Sequence, residues 1–182
     1  MPLDSALLTI HVLAALVMLA SLSLDWIGVL RLRRASTLPH AREGVTALER
    51  SAAFGAWARL ITLAAGLWLA IDTGHWPGWI IAALAGWTAL VLLGEPLTGK
   101  DLRTMAKTGR KSDGLTPTLA AEIHHPRLWS SLHTCTAVVA AALTDMLAKP
   151  ALALALTLLA AGYLTGTLTA RLTRNRQPEP SP

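Results

Sequence analysis

Five ionisable side chains stand inside long apolar runs: His11, Asp25, Arg59, Glu95 and His133. A charge in a hydrocarbon environment costs several kcal/mol unless it is paired, so each is a functional candidate by position alone. Their neighbours recur at helical spacing. His11, Ala14, Ala15, Met18, Ser21 and Asp25 follow one another by three or four residues, as do Gly55, Arg59, Thr62 and Gly66. Each set therefore shares one helical face, mixed small and polar, as helix contacts inside a membrane require. Thr88 and Glu95 stand seven apart, and His133, Thr136, Ala140 and Thr144 align in the same way. At about 1.5 Å rise per residue, Asp25, Arg59 and Glu95 come to similar depth near one end of their helices. They can form an intramembrane polar cluster in which the carboxylates neutralise the guanidinium. Such a cluster either locks three helices together or serves as a proton relay or substrate anchor.

Histidines between membrane helices suggest haem, commonly held by imidazole ligands. The pair His11 and His133 suits this poorly, because His11 lies toward the outer side of the first span and His133 toward the inner side of the fourth, a difference in depth of more than about 10 Å. His11 and His75 fall toward the same end, with Asp72 and Asp145 near, and are the candidate ligands for a metal or haem b. His40, His124 and His125 lie in polar stretches. No Ser-His-Asp set, HExxH helix or phosphate-binding glycine loop is present, and the single cysteine, Cys135, makes neither a disulfide nor a CxxC motif. No catalytic residue is assigned, and no cofactor is expected beyond the haem alternative.

The elements that position these residues follow from hydropathy. Of the 182 residues 53% are hydrophobic and 15% charged, with mean hydropathy +0.46. A soluble domain carries about a quarter charged residues, and here the apolar residues come in runs matching a hydrocarbon core about 30 Å thick. This excludes a soluble globular fold, a disordered chain and a barrel of short alternating strands. The chain reads as all-α, a polytopic membrane helical bundle with five transmembrane helices over about 6–30, 52–71, 79–97, 128–147 and 151–170. The stretch 35–50 reads as a polar connection that Pro39 keeps from being a continuous helix, and 100–127 as the longest polar segment. Residues 1–173 form the membrane domain and 174–182, rich in proline, a disordered tail. The start, Met1-Pro2-Leu3-Asp4, has no basic segment, so the first run reads as a retained helix rather than a cleaved signal.

Lys and Arg orient the bundle. All of them except Arg59 and Lys149 fall on one side of the five-span layout. The N-terminus is therefore expected outside and the C-terminus in the cytoplasm. The same bias accounts for the net charge of +5 without a nucleic-acid partner. The basic segment from Lys100 to Lys111 can touch anionic lipid headgroups. Trp26, Trp57, Trp76, Trp79 and Trp129 fall near span ends, where indole rings suit the interface. Gly162 and Gly166 form a GxxxG pair that lets another helix approach, from the same chain or, in a homo-oligomer, through the fifth helix of a second copy.

Several stretches resemble a bacterial family of predicted integral membrane proteins, domain of unknown function 2269. They are 8–13 (LTIHVL), 65–70 (AGLWLA) before the turn at 72–79, Pro126-Arg127-Leu128-Trp129, and Lys149-Pro150. That resemblance implies five helices in a bacterial inner membrane and carries no catalytic residue across. The His11 opening is also similar to copper-resistance D-type membrane domains and to the membrane protoporphyrinogen oxidase family, although 16–20 (LVMLA) departs from the Trp or Gly-Gly that follows there. Three functions fit the sequence. The first is a non-enzymatic inner-membrane accessory or small-molecule-binding protein. The second is a haem- or metal-binding redox protein using His11, and the third a small-solute or proton transporter.

Overall fold

The structure, a computed structural model, describes residues 2–93 and 100–174. Its elements are α1 (Pro2–Arg33), α2 (Leu38–Thr73), α3 (Gly78–Leu93), α4 (Lys100–Lys111), α5 (Pro117–Ile123), α6 (Pro126–Ala148) and α7 (Leu152–Arg174), with no strand among the described residues. Four helical segments are long and apolar enough to cross a membrane: Leu3–Arg33, Leu38–Thr73, Pro117–Ala148 and Leu152–Thr173. Gly78–Leu93 is apolar but shorter. The chain is an all-helical membrane protein. The part of the third run beyond Leu93, and the tail beyond Arg174, lie outside the described residues.

The polar connection expected over 35–50 is helical from Leu38, and the polar segment 100–127 holds two helices, α4 and α5. Pro39 does not interrupt a helix between 35 and 50, because α2 begins beside it. In the first turn its missing N–H has no intrahelical acceptor to lose. From there Leu38, Ala41, Val45 and Leu48 are buried, while His40, Arg42, Glu43, Thr46 and Arg50 are solvent-facing or partly so. That is an amphipathic helix, which a search for continuous apolar runs passes over. α4 follows the same rule, burying Leu102, Met105 and Ala106 and exposing Arg103, Lys107 and Lys111.

Local chemistry sets the helix ends. α2 stops at Gly74, whose φ of 61° is the left-handed cap conformation and whose N–H donates to Ile71 O at 3.0 Å. α6 starts at Pro126, with His125 Nδ1 accepting the Arg127 N–H at 3.2 Å. It ends where Lys149, at φ 48°, donates its N–H to Asp145 O at 2.8 Å before Pro150.

Contacts define an antiparallel hairpin of α1 and α2, in register through His11 with Thr62, Ser21 with Ser51 and Leu32 with Gly44. α6 and α7 form a second hairpin, α3 packs against both of its helices, and α1 joins the two units along α6. Exposed apolar side chains make a belt, from Leu3 to Ile27 on α1, Phe54 to Ile71 on α2, Ile81 to Leu92 on α3 and Leu152 to Leu172 on α7. On α2 the belt measures about 26 Å at 1.5 Å per residue, close to the hydrocarbon thickness of a bilayer. Beyond its edge lies a head, made from the end of α1, the start of α2, α4, α5 and the start of α6. The largest apolar core is there, around Val29, Leu32, Leu48, Leu102, Leu119 and Leu132.

Candidate functional site

The two small-and-polar faces read from the sequence meet along the α1–α2 hairpin. At the far end from the head, His11 lies over Gly66, and a Cβ placed there would come within 2.8 Å of the ring. The ring Nδ1 is 2.8 Å from Thr62 O. A carbonyl only accepts, so Nδ1 is the donor in this contact.

Toward the head the hairpin holds Asp25, Ser51, Ser21 and Arg59. Asp25 is 6% exposed, and its Oδ1 is sealed from solvent with no hydrogen-bond partner among the described residues. Ser51 stands beside this carboxylate, and its hydroxyl donates to Ser21 O at 2.8 Å. Arg59 folds back one turn over Gly55, beside Ser21, so the long side chain carries its charge toward the head. The guanidinium feels Asp25 electrostatically, but no carboxylate of a described residue comes within 4.0 Å of it. Its backbone carbonyl accepts the Trp87 indole N–H at 3.3 Å, which ties α3 to α2. Glu95, the third expected member, lies outside the described residues.

Directly adjacent is an aromatic cluster that sequence reading did not assemble. His133, 8% exposed, is held between two tryptophans, its ring centroid 4.8 Å from that of Trp26 and 4.5 Å from that of Trp129. The tryptophans meet edge to face at 5.8 Å, a favourable aromatic geometry. Each indole N–H has a partner, Trp26 to Thr136 Oγ1 and Trp129 to Thr173 Oγ1, both at 2.9 Å. His133 Nδ1 donates to Trp129 O at 3.1 Å. The Arg33 guanidinium lies 4.7 Å over the Trp129 ring, with Nε and Nη1 buried and unpartnered among the described residues. The signal was present in the four-residue spacing of Trp129 and His133, which puts both on one helical face. The partner Trp26 comes from another helix, and no spacing rule reaches it.

The other candidates fall as follows. His75 is exposed in the turn after α2, about 13 Å along that helix from Gly66, over which the His11 ring lies, so the structure does not bring His11 and His75 together. His11 and His133 are also far apart, because His133 meets α1 at Trp26, about 22 Å along the helix from His11. No group of three or more His, Cys, Asp or Glu able to hold a metal occurs among the described residues. Asp145 is wholly buried, both carboxylate oxygens lacking a partner among the described residues. Ser131 donates to Leu93 O and has Cys135 Sγ 4.0 Å away, joining α6 to the end of α3. Gly162 and Gly166 face α6, against Ala137 O and the Thr134 backbone, so the GxxxG pair packs within the chain and a contact between copies would need another face of α7.

Comparison with protein-family models, with curated proteins and with solved structures gives no match to this chain.

Proposed function

We propose that this chain is a multi-pass bacterial inner-membrane protein of five crossings, with its N-terminus outside and its C-terminus cytoplasmic. In this reading it acts as a non-enzymatic accessory component that holds a small polar molecule beside Asp25 and Arg59. One observation carries it: the buried Asp25 carboxylate, whose Oδ1 has no partner among the described residues and lies beyond ion-pair distance of Arg59. An acceptor kept dry and unpaired costs about 1–3 kcal/mol. A bundle that keeps one gains affinity for a donor in return. The hydroxyls around it support binding over covalent chemistry, since Ser21, Ser51 and Ser131 donate to the carbonyls of Met18, Ser21 and Leu93 rather than to a base.

Melting of the purified protein tests this role. In Asp25→Asn the midpoint is expected to stay level or rise, because the substitution removes a buried charge that no direct ion pair offsets. A fall of several degrees would assign Asp25 to holding the helices together. The same preparation addresses a second reading favoured by His11, whose Nδ1–H bond to Thr62 O fixes the tautomer as it is fixed in ligating imidazoles. A visible spectrum without a Soret band supports the first reading. A Soret band lost in His11→Ala establishes haem at His11.

The belt and the short turns at 74–77 and 149–151 support alternating crossings, with α3 as the third. Reporter fusions after Arg34, Gly74, Lys111, Lys149 and Arg174 are expected to alternate in, out, in, out, in. One reversed fusion breaks this topology.

A further inference from the structure

The edge of the apolar belt nearest the head is followed on most helices by an exposed cation. Arg31 comes one turn after Ile27 on α1, and Arg50 one turn before Phe54 on α2. Arg171 adjoins Leu172 on α7, and Arg127 opens α6 beside the Trp129–Thr173 bond that sets the same level. On α4 the exposed Arg103 and Lys107 continue the series around the head. We infer that this collar is a binding surface for anionic phospholipid headgroups, whose phosphodiester carries no compensating amine.

Three features of the structure support that occupant. On α1, α2 and α7 the cations stand within about one turn of the belt edge, the depth at which headgroup phosphates lie. α4 uses its apolar side in the core of the head, against residues of α2 and α5, so it does not dip into the bilayer and its basic side stays outward. Its C-terminus is clamped by Arg42, whose Nε donates to Gly109 O and Nη2 to Ser112 O, both at 2.9 Å. A cation on those carbonyls offsets the negative end of the helix dipole, which would otherwise repel a phosphate. Arg110 is partly neutralised by Glu49 at 3.5 Å, so it is left out of the collar.

This inference rests on the membrane reading above, and the experiment separates the two. The full chain is placed in nanodiscs of equal parts phosphatidylcholine and phosphatidylglycerol, released in mild detergent, and its retained lipid weighed by mass spectrometry. Phosphatidylglycerol is expected to be enriched about five-fold or more, the gain from one basic residue near an anionic surface. Enrichment should fall toward parity in about 1 M salt, where the Debye length is ~3 Å. It should also fall in a variant with Arg31, Arg50, Arg103, Lys107, Arg127 and Arg171 all changed to glutamine. These side chains are exposed, so the variant is expected to melt like the parent, and a wild-type salt series gives the answer should it not fold. Parity in the wild type, or enrichment that survives the glutamine changes, overturns the collar. Displacement of the lipid by millimolar inorganic phosphate does so too, showing a soluble-phosphate site. Failure to enter nanodiscs at all overturns the membrane reading and the collar with it.

Discussion

Gly166→Ala is expected to lower the melting midpoint by several degrees, and Gly166→Leu to abolish the folded protein. A Cβ at residue 166 would stand 2.5 Å from Thr134 Cα and 2.9 Å from His133 O. Both are backbone atoms of α6, so no rotamer change relieves the clash. α6 and α7 would have to part, and overpacking of this kind costs about 1–3 kcal/mol. The loss spreads beyond the contact, because parting the hairpin also strains the Trp129–Thr173 bond at its end. Gly114→Ala is the control, since nothing lies within 4 Å of its Cβ, and it should melt like the parent. Equal midpoints for the 114 and 166 variants would show that the hairpin is looser than described.

Trp129→Ala carries the second large effect. The ring is buried at the junction of the head and the belt, where it touches Trp26, His133 and Arg33 and donates to Thr173. Truncating a buried tryptophan costs about 3–5 kcal/mol. Trp129→Phe keeps much of the stacking and loses the indole donor, so its cost is expected near 1 kcal/mol. Melting curves of the two variants give the comparison. If phenylalanine costs as much as alanine, the hydrogen bond to Thr173 holds the corner and the ring contacts matter little.

How much of this was legible beforehand depended on the kind of signal. Apolar runs located the helices that form the belt, and three- and four-residue spacing put His11, Ser21 and Asp25 on one face of α1 and Gly55, Thr62 and Gly66 on one face of α2. That the hairpin lays these two faces together is seen only in the structure. Pro39 misled because its meaning depends on position: inside a helix it breaks one, and in a first turn it fits. The head was missed for a related reason. Leu38, Ala41, Val45 and Leu48 are separated by polar residues, so a hydropathy window averages them away, although their spacing is helical. Trp26 and Trp129 were read only as residues near span ends, whereas their contact with His133 depends on how α1 crosses α6. No linear pattern encodes that crossing.

α2 has 36 residues and no break, running from the head through the belt. Each residue of a helix turns it by about 100°, so the two halves of α2 share one angular phase. Arg42 can aim at the carbonyls of α4 only while Arg59 aims at Ser21 and Asp25. One residue inserted between them would leave each half intact and swing the head about a quarter turn away from its partners. The head and the buried polar site are thus geared to each other by the pitch of a single helix. Insertions are expected to be tolerated only in the connections at 34–37, 74–77 and 112–116, where rotation is not transmitted.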